Sequence, residues 1–392
     1  MNKVNRKLIK SKLLIIIPFV GIFFVFLGTD LIFRDKIAFK YNSSLVASMN
    51  KTEIPNSKIE EKIIHLKTPE PLRGIYMTSW VAATRDWRKN LVDLIDKTEL
   101  NAVVIDIKDY TGRIAFEVSD PDLKKIGSEE KRIDDVRDFI STLHKKNIYA
   151  IARIAVFQDP YFVKQRPDLA VKTKSGAIWK DKKGLTWIDP CAREFWDYTI
   201  KIAKEAERVG FDELNFDYIR FASDGDMNNI KYSHCQPGVS KADSLESFFK
   251  YLSENLKDIG LPISADLFGM VTTNTDDLNI GQVLEKTIPY FDYICPMVYP
   301  SHYPPTYDGY KNPALHPYEI ISHALASSSQ RLIIASSTPS KLRPWLQDFD
   351  LGADYTAETV RKEKQAVYDA GLTSWLMWDP ANEYTRGALG EK

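Results

Sequence analysis

The sequence lacks an excess of charge of either sign. Its 392 residues include 53 lysines and arginines and 53 aspartates and glutamates, which leave a formal net charge of zero at pH 7. A neutral chain has no general field to draw a duplex or another polyanion to its surface, so the composition argues against nucleic acid as a partner. A charged substrate would need a local site.

Cysteine is also scarce. Cys191, Cys235 and Cys295 are too few and too far apart for a disulfide framework or a C-x-x-C zinc site, although one pair could form. The six histidines include no H-E-x-x-H motif and no pair four residues apart, which argues against a metal site built on histidine.

Motifs of several common enzyme classes are missing. No G-x-G-x-x-G follows the first predicted strand, and neither G-x-x-x-x-G-K-[ST] nor G-x-S-x-G occurs. These absences argue against dinucleotide binding, P-loop chemistry and a serine hydrolase. We therefore expect no cofactor and no metal.

The N-terminal region predicts a membrane anchor. Residues 1–12 are basic, and residues 13–29 contain no charge. This length is at the short end for a transmembrane helix, and the basic flank keeps the N-terminus in the cytoplasm. The alternative is a cleaved signal peptide, but the small-residue triplet at 46–48 lies far beyond the apolar core. We expect a cytoplasmic stub, a signal-anchor helix over 13–33, and a single-pass protein of the cell membrane whose C-terminal domain is extracytoplasmic.

Two further parts follow the anchor. Residues 34–71 are rich in Lys, Glu, Asn and Ser, contain three prolines, and predict a flexible linker.

From residue 72 onward, short apolar segments alternate with segments whose apolar residues recur every three or four positions. The predicted strands lie at 73–80, 101–109, 148–157, 211–221, 262–269, 291–299, 331–338 and 372–379. The predicted helices include 87–98, 133–146, 193–208, 245–259, 317–327 and 356–370. Eight β-then-α units predict an α/β fold, a (β/α)8 TIM barrel over 72–392, with a doubly wound open sheet as the alternative.

Polar side chains are concentrated at the carboxyl ends of the predicted strands, where a barrel of this kind builds its active site. They are Asp106, Lys108, Asp109, Arg153, Asn215, Asp217, Arg220, Asp266, Tyr299, Trp378 and Asp379. Ionised carboxylates in an apolar interior need partners. Asp106 with Lys108, and Asp217 with Arg153 or Arg220, are available pairs. The alternative is that such pairs only hold the register of the barrel.

The fourth predicted strand carries a carboxylate in its middle. Simple alternation places Asn215, Asp217 and Ile219 on one face and Tyr218 and Arg220 on the other.

Two carboxylates in different environments are what glycoside hydrolysis requires. Asp217, close to arginines, is expected to stay ionised and to act as nucleophile or base. Asp266 has no adjacent cation in the sequence, so we expect a raised pKa and the role of the acid. The predicted supporting residues are Asp106, Lys108, Arg153, Asn215, Arg220 and Asp379.

Aromatic residues at or just past the strand ends indicate a sugar-binding cleft, because flat rings stack on sugar faces while polar groups bind hydroxyls. The predicted substrate-binding residues are Trp80, Tyr110, Tyr299, His302, Tyr303, Trp345, Gln347, Trp378 and Asn382. Packing in the core is the alternative for each ring. Two other functions remain open: a sugar-binding barrel without catalysis, and a barrel enzyme that holds Mg²⁺ on the carboxylates of strands two, four and five.

Several segments also resemble a known family. LRGIYMTSW, VVIDIKDYTG, WIDPCAREFW, GFDELNFDYIRF, ISADLFGM, DYICPMVYPSHY, PWLQDF and GLTSWLMWDPANEY are similar, in order and spacing, to a bacterial family of glycosyl hydrolase domains. The resemblance covers about residues 72–386. It implies a TIM barrel distantly related to α-amylase-like and polygalactosaminidase-like hydrolases, with Asp217 as nucleophile or base. Those relatives commonly carry glutamate as the acid on strand five, where this sequence has Asp266.

These observations together predict a membrane-anchored glycoside hydrolase. Its expected substrate is a polysaccharide of the cell envelope or of an exopolymer.

Overall fold

The structure, a computed structural model, describes residues 64–392. The predicted anchor at 13–33 and most of the predicted linker at 34–71 lie outside the described residues. Between residues 64 and 392, no helix is both long enough and apolar enough to cross a membrane.

Eight parallel strands close into a barrel. They are β1 (Arg73–Met77), β2 (Ala102–Lys108), β3 (Tyr149–Ala155), β4 (Glu213–Asp217), β5 (Ile263–Phe268), β6 (Tyr293–Met297), β7 (Trp345–Gln347) and β8 (Trp375–Trp378). Each strand pairs with its neighbours in the chain, and β8 pairs with β1. The (β/α)8 fold predicted from the alternation is therefore confirmed.

Helices of varied length connect the strands. They are α1 (Ser79–Ala83), α2 (Arg85–Lys97), α3 (Pro121–Ile126), α4 (Val136–Lys145), α5 (Pro160–Gln165), α6 (Arg193–Val209), α7 (Lys241–Leu256), α8 (Leu284–Thr287), α9 (Pro317–Ile334) and α10 (Ala357–Asp369). The longer ones bury one apolar stripe against the barrel, as their three- and four-residue spacing predicts.

Two separate apolar clusters form the core. The larger one lies between strands and helices and includes Leu214 and Phe216 of β4. The smaller one fills the barrel interior and includes Val104, Ile151 and Cys295. The eight strands of the barrel and both clusters belong to one compact unit, which includes residues 64–392. Because residues 64–392 contain the complete barrel and its core, we expect this part of the chain to fold on its own.

The amino end of the barrel is closed by the chain that precedes β1. The backbone N–H of Leu66 donates to Asp212 Oδ1 at 2.7 Å, and the Thr68 and Tyr149 hydroxyls lie 3.0 Å apart. These two residues of the predicted linker are therefore tied to the barrel. Access to the interior is left to the carboxyl ends of the strands.

The seventh strand differs from the prediction. Residues 331–338 do not form a strand, because α9 continues to Ile334 and β7 is the later segment Trp345–Gln347. Leu332 is buried, whereas Ile334 is 74% exposed, so the two do not share a buried face as a strand would require. Leu332 instead continues the buried stripe of α9. A short apolar run does not by itself distinguish a strand from the end of a helix.

Candidate active site

One cavity of about 300 Å³ opens at the carboxyl ends of the strands. Nine predicted site residues line it: Arg153, Asp217, Arg220, Asp266, Tyr299, His302, Tyr303, Trp345 and Trp378. They come from β3 to β8 and the loops that follow. The fold therefore brings together residues that are up to 225 positions apart in the chain.

The floor of the cavity is organised by the guanidinium of Arg153. Its Nη1 donates to Asp106 Oδ1 and its Nη2 to Asp217 Oδ2. Its Nε lies 3.6 Å from Asp266 Oδ2. The Tyr76 hydroxyl donates to the second oxygen of Asp106, so that carboxylate is held from both sides. The register of the strands explains this arrangement, because Arg153 lies opposite Asp106 on one neighbouring strand and opposite Asn215 on the other.

Asp266 lies in the most unusual environment of the site. Burial raises its pKa to about 7, the charge of Asp217 adds to the rise, and Arg153 opposes it. Its Oδ1 accepts hydrogen bonds from Asn215 Nδ2 at 2.9 Å and from Trp345 Nε1 at 2.8 Å. Because two N–H donors already occupy Oδ1, the proton of the neutral acid belongs on Oδ2. The expected rise of the pKa is confirmed, but burial causes it rather than the absence of a cation.

Asp217 is held by N–H donors on both oxygens. Oδ2 accepts from Arg153, and Oδ1 accepts from the backbone N–H of Tyr218 at 2.5 Å. Because Asp217 and Asp266 both flank one guanidinium, their carboxyl groups lie closer together than roughly 9.5 Å, the upper end of the range found in glycoside hydrolases.

The alternation predicted for the fourth strand stops at Asp217. Tyr218 has a φ of 53°, in the left-handed region that a bulky residue rarely adopts. The turn places Tyr218 and Arg220 in the cavity wall, whereas Ile219 packs into the outer core. The predicted faces after Asp217 are therefore wrong, since a single residue with positive φ breaks the two-residue period.

Of the two arginines predicted as partners of Asp217, Arg153 forms the ion pair and Arg220 does not. The guanidinium of Arg220 stacks on Trp187 at 4.9 Å and on Phe268 at 4.7 Å, and Nη1 donates to Ser223 Oγ. Lys108 does not pair with Asp106 either.

Lys108 binds another carboxylate, outside the cavity. Its Nζ lies 3.0 Å from Asp159 Oδ2 and donates to the Ala155 carbonyl at 2.5 Å. The strand register shifts between Asp106 and Lys108, so their side chains do not follow the simple period that the prediction assumed.

A hydrogen-bond chain determines the tautomer of His302. Gln347 Nε2 donates to the Phe349 carbonyl at 2.9 Å, which leaves Gln347 Oε1 as an acceptor. The Ser301 hydroxyl donates its single proton to that oxygen at 2.8 Å. Ser301 Oγ is therefore the acceptor for His302 Nδ1 at 3.0 Å. In its neutral form, His302, which lines the cavity, carries the proton on Nδ1 and has an unprotonated Nε2.

Comparison with known proteins places the chain in a family. The family described as "Putative glycosyl hydrolase domain" matches residues 74–384. The chain belongs to this glycosyl hydrolase family. No curated protein matches it.

Solved structures share the barrel of this glycosyl hydrolase domain. The glycoside hydrolase domain of PgaB (BpsB) from Bordetella bronchiseptica has a TM-score of 0.61 and 14% identity, covering 82% of this chain and 99% of that chain. Alpha-L-fucosidase isoenzyme 2 from Paenibacillus thiaminolyticus has a TM-score of 0.57 and 12% identity, covering 81% of this chain and 47% of that chain. A hypothetical protein from Ruminiclostridium thermocellum has 35% identity and a TM-score of 0.46, covering 53% of this chain and 98% of that chain. The first two likenesses show the fold.

Aromatic rings form one wall of the glycosyl hydrolase cavity. Tyr299 stacks on Trp378 with ring centroids 5.1 Å apart and an angle of 28° between the planes. Trp345 lies within β7 and is buried, and its indole N–H donates a hydrogen bond to Asp266. It therefore does not project from a strand end, as the sequence predicted. Tyr303 is buried and also lines the cavity.

Two predicted sugar contacts have a different geometry. Gln347 is fully buried and its amide groups bind Ser301 and Phe349. Asn382 Oδ1 accepts from the Thr78 N–H at 2.8 Å, and its Nδ2 donates to the Asp379 carbonyl at 2.9 Å. Asn382 therefore joins the loops after β1 and β8. These contacts hold both residues within the protein, and their predicted sugar contacts stay predictions.

Other predicted residues lie around the cavity. Asp106 and Asn215 lie behind Arg153 and Asp266, and the Asp379 carboxylate accepts from a backbone N–H in its own loop. Trp80 and Tyr110 are 57% and 55% exposed on the loops after β1 and β2, outside the cavity lining. Their sugar contacts remain predictions.

Sequence reasoning missed five residues of the lining: Tyr218, Phe268, Gly269, Met270 and Met297. Gly269 carried a signal, because it follows a strand directly. A Cβ there would lie 2.7 Å from the Tyr303 hydroxyl and would also meet the Met297 carbonyl. Met270 and Met297 gave no such signal, because apolar residues within apolar runs usually belong to the core.

Within residues 64–392, the group of side chains close enough to hold a metal ion is Asp189 with Cys191 and Cys235. These two cysteines form a disulfide, so they offer no thiolate. Cys295 is buried and unpaired. The three carboxylates of the alternative Mg²⁺ site are those of Asp106, Asp217 and Asp266. The guanidinium of Arg153 lies between them.

Proposed function

We propose that this glycosyl hydrolase domain cleaves glycosidic bonds in a polysaccharide of the cell envelope or an exopolymer. Asp217 and Asp266 are its catalytic carboxyl groups. The observation that carries the proposal is that both flank the guanidinium of Arg153 at the floor of an aromatic-walled cavity, Asp217 in direct contact with it and Asp266 with a pKa that burial raises to about 7.

The roles follow from the two environments. Asp266, with its proton on Oδ2, donates that proton to the leaving oxygen as the C–O bond breaks. Asp217 either attacks the anomeric carbon or removes a proton from the attacking water. Arg153 orients Asp217 throughout. His302 Nε2 accepts a hydrogen bond from a sugar hydroxyl, and the Tyr299–Trp378 pair supplies the apolar surface for a sugar face.

The same proposal locates the enzyme outside the cytoplasm, on the anchor at 13–33 and the linker at 34–71. The charge pattern of the first 33 residues supports it. The Cys191–Cys235 disulfide supports it too, because disulfides persist mainly in oxidising compartments.

The test compares residues 64–392 with Asp217→Asn and Asp266→Asn on a panel of envelope glycans and amino-sugar polymers. Release of reducing ends is measured by mass spectrometry. Each variant should lower kcat by about 10²- to 10⁴-fold. Asp292→Asn, at the amino end of the barrel, is the matched control and should keep full activity.

Synthetic aryl glycosides separate the two roles. A dinitrophenyl leaving group departs without a proton. Asp266→Asn should therefore cleave that substrate at a rate close to that of the wild type, whereas Asp217→Asn should not. If the wild-type protein binds a glycan of the panel and releases nothing, the barrel is a sugar-binding protein and the proposed function is wrong.

A further inference from the structure

A lysine-rich hairpin projects from the barrel between β3 and α6. The basic hairpin, residues 171–184, contains five lysines and one acidic residue. Lys174, Lys180, Lys182 and Lys183 are exposed, and Lys172 is half-buried. Within residues 64–392, none of the five makes an ion pair at 4.0 Å or less. This is a local excess of positive charge on a chain whose net charge is zero.

The acidic residue of the hairpin does not offset the lysines at the surface. Asp181 is buried, and its oxygens accept hydrogen bonds from the N–H groups of Lys183 and Leu185 and from Trp187 Nε1. Asp181 therefore shapes the turn while the ammonium groups around it remain in water.

The basic hairpin has a defined structure. Lys172–Thr173 pairs antiparallel with Ile230–Lys231, which adds a further exposed lysine beside it. Trp179 is buried under the hairpin and donates from Nε1 to the Asp226 carbonyl at 3.0 Å. The Cys191–Cys235 disulfide joins the segments that follow the two strands. The lysines are thus carried on a scaffold with a defined shape.

The basic hairpin lies on the face of the barrel that carries the cavity, because it belongs to the loop that leaves the carboxyl end of β3. Trp187, just after the hairpin, is buried against Arg220 at 4.9 Å and Tyr218 at 5.9 Å. Both of these residues line the cavity. Packed side chains therefore connect the lysines to the cavity wall.

We propose that the basic hairpin binds an anionic polysaccharide, one whose repeat units carry carboxylate or phosphate groups, and guides it to the cavity. This inference rests on the proposed function and names the class of its substrate. Several ammonium groups without carboxylate partners attract a polyanion from solution, and this positive charge is a local feature because the chain as a whole has no net charge. The nearby acidic residues are Asp224 and Asp226, on the loop beside the hairpin, and Asp168, which is paired with Arg166; the lysines outnumber them. The connection to the cavity wall favours a polymeric substrate over a lipid surface.

The test measures binding by residues 64–392 rather than hydrolysis. The probes are polygalacturonate, poly(glycerol phosphate) and neutral dextran at low salt. In the hairpin variant, Lys174, Lys182 and Lys183 are each replaced by glutamate. The control variant replaces Lys97, Lys145 and Lys257, which are exposed at the ends of helices on the opposite face of the barrel, so the change in net charge is the same.

We expect the wild-type protein to bind at least one polyanion and not dextran, with affinity that falls as salt rises. The hairpin variant should bind about tenfold more weakly or worse, and the control variant should match the wild type. Thermal unfolding followed by circular dichroism checks that all three proteins are folded.

Three results would overturn the inference: no binding to either polyanion, equal weakening in both variants, or tighter binding to vesicles of phosphatidylcholine with phosphatidylglycerol than to the polymers. The outcome is separable from that of the proposed function. Hydrolysis of a neutral glycan without polyanion binding would reject this inference alone, and hairpin-dependent binding without any hydrolysis would reject the proposed function alone.

Discussion

At the scale of the residue, one guanidinium sets the chemistry of the site. Arg153 binds Asp106 and Asp217 directly and lies farther from Asp266. Burial raises the pKa of Asp266, and Arg153, which lies farther from it than from Asp217, opposes the rise without cancelling it. The positive φ of Tyr218 then brings its backbone N–H onto Asp217. Strained backbone of this kind is often found at functional sites.

The raised pKa of Asp266 predicts how stability depends on pH. Its folded value of about 7 lies above the ordinary value of about 3.9. Between these pH values the unfolded chain loses a proton that the folded protein keeps, so this residue lowers the free energy of unfolding as pH rises from about 4 to about 7. Asp266→Asn cannot titrate. At pH 8 it should be more stable than the wild type by about 1–3 kcal/mol, and the difference should disappear near pH 4.

Urea denaturation at the two pH values measures this difference. Asp217→Asn is the comparison, because it removes a carboxylate from a buried guanidinium and should cost about 1–3 kcal/mol at pH 8. Asp348, whose pKa burial raises to about 6, contributes to all three proteins alike. If Asp266→Asn is less stable than the wild type at pH 8, the pKa of Asp266 is not raised in the folded protein and Asp266 is not the acid.

At the scale of the element, the end of α9 shows how tertiary packing decides between helix and strand. The run RLII is apolar enough for either, but the buried stripe of the helix continues only to Leu332. β7, in contrast, has three residues, which is too short for a periodic pattern to reveal. Its place in the barrel depends on pairing with β6 and β8.

Two substitutions distinguish a helix from a strand at this place. Leu332→Ala should lower the free energy of unfolding by about 2–5 kcal/mol, because it leaves a cavity under the helix. Ile334→Ala, at a largely exposed position, should change it by less than about 0.5 kcal/mol. Chemical denaturation of residues 64–392 provides both values. Similar costs at the two positions would indicate an alternating strand over 331–338 in place of the helix.

At the scale of the whole molecule, the barrel has one closed end and one open end. The chain around Leu66 and Thr68 covers the amino end, and the cavity and the basic hairpin occupy the other. A protein without net charge can thus have two different ends, because the lysines of the basic hairpin and the carboxylates of the cavity lie on the same face of the barrel.

The position of the enzyme in the cell can be tested on the full chain expressed in bacteria. We expect it to sediment with membranes, to be extracted by detergent and to be digested by protease added outside spheroplasts, because residues 13–33 keep the basic N-terminus inside. A chain that lacks residues 1–33 should stay in the cytoplasm and resist the protease. Soluble protein in the medium whose first residue lies after position 48 would instead establish a cleaved signal peptide.

Much of the architecture was determined by the sequence alone. The two periods, two residues for strands and three to four for helices, are local properties, so seven of the eight strands and the order of the units were predicted. The concentration of polar residues at strand ends was equally readable, because parallel strands must place their carboxyl ends together. Asp217 and Asp266 were identified as the candidate pair on that basis.

Only the tertiary structure decided which groups meet. Arg153 rather than Lys108 neutralises Asp106, a shift in strand register redirects Lys108 to Asp159, and a positive φ at Tyr218 turns Arg220 into the cavity wall. The pairing of Cys191 with Cys235 and the path of β7 were decided in the same way. The physical reason is common to all of them: which of several available partners a side chain reaches depends on contacts between distant segments, and local sequence spacing contains no record of those contacts.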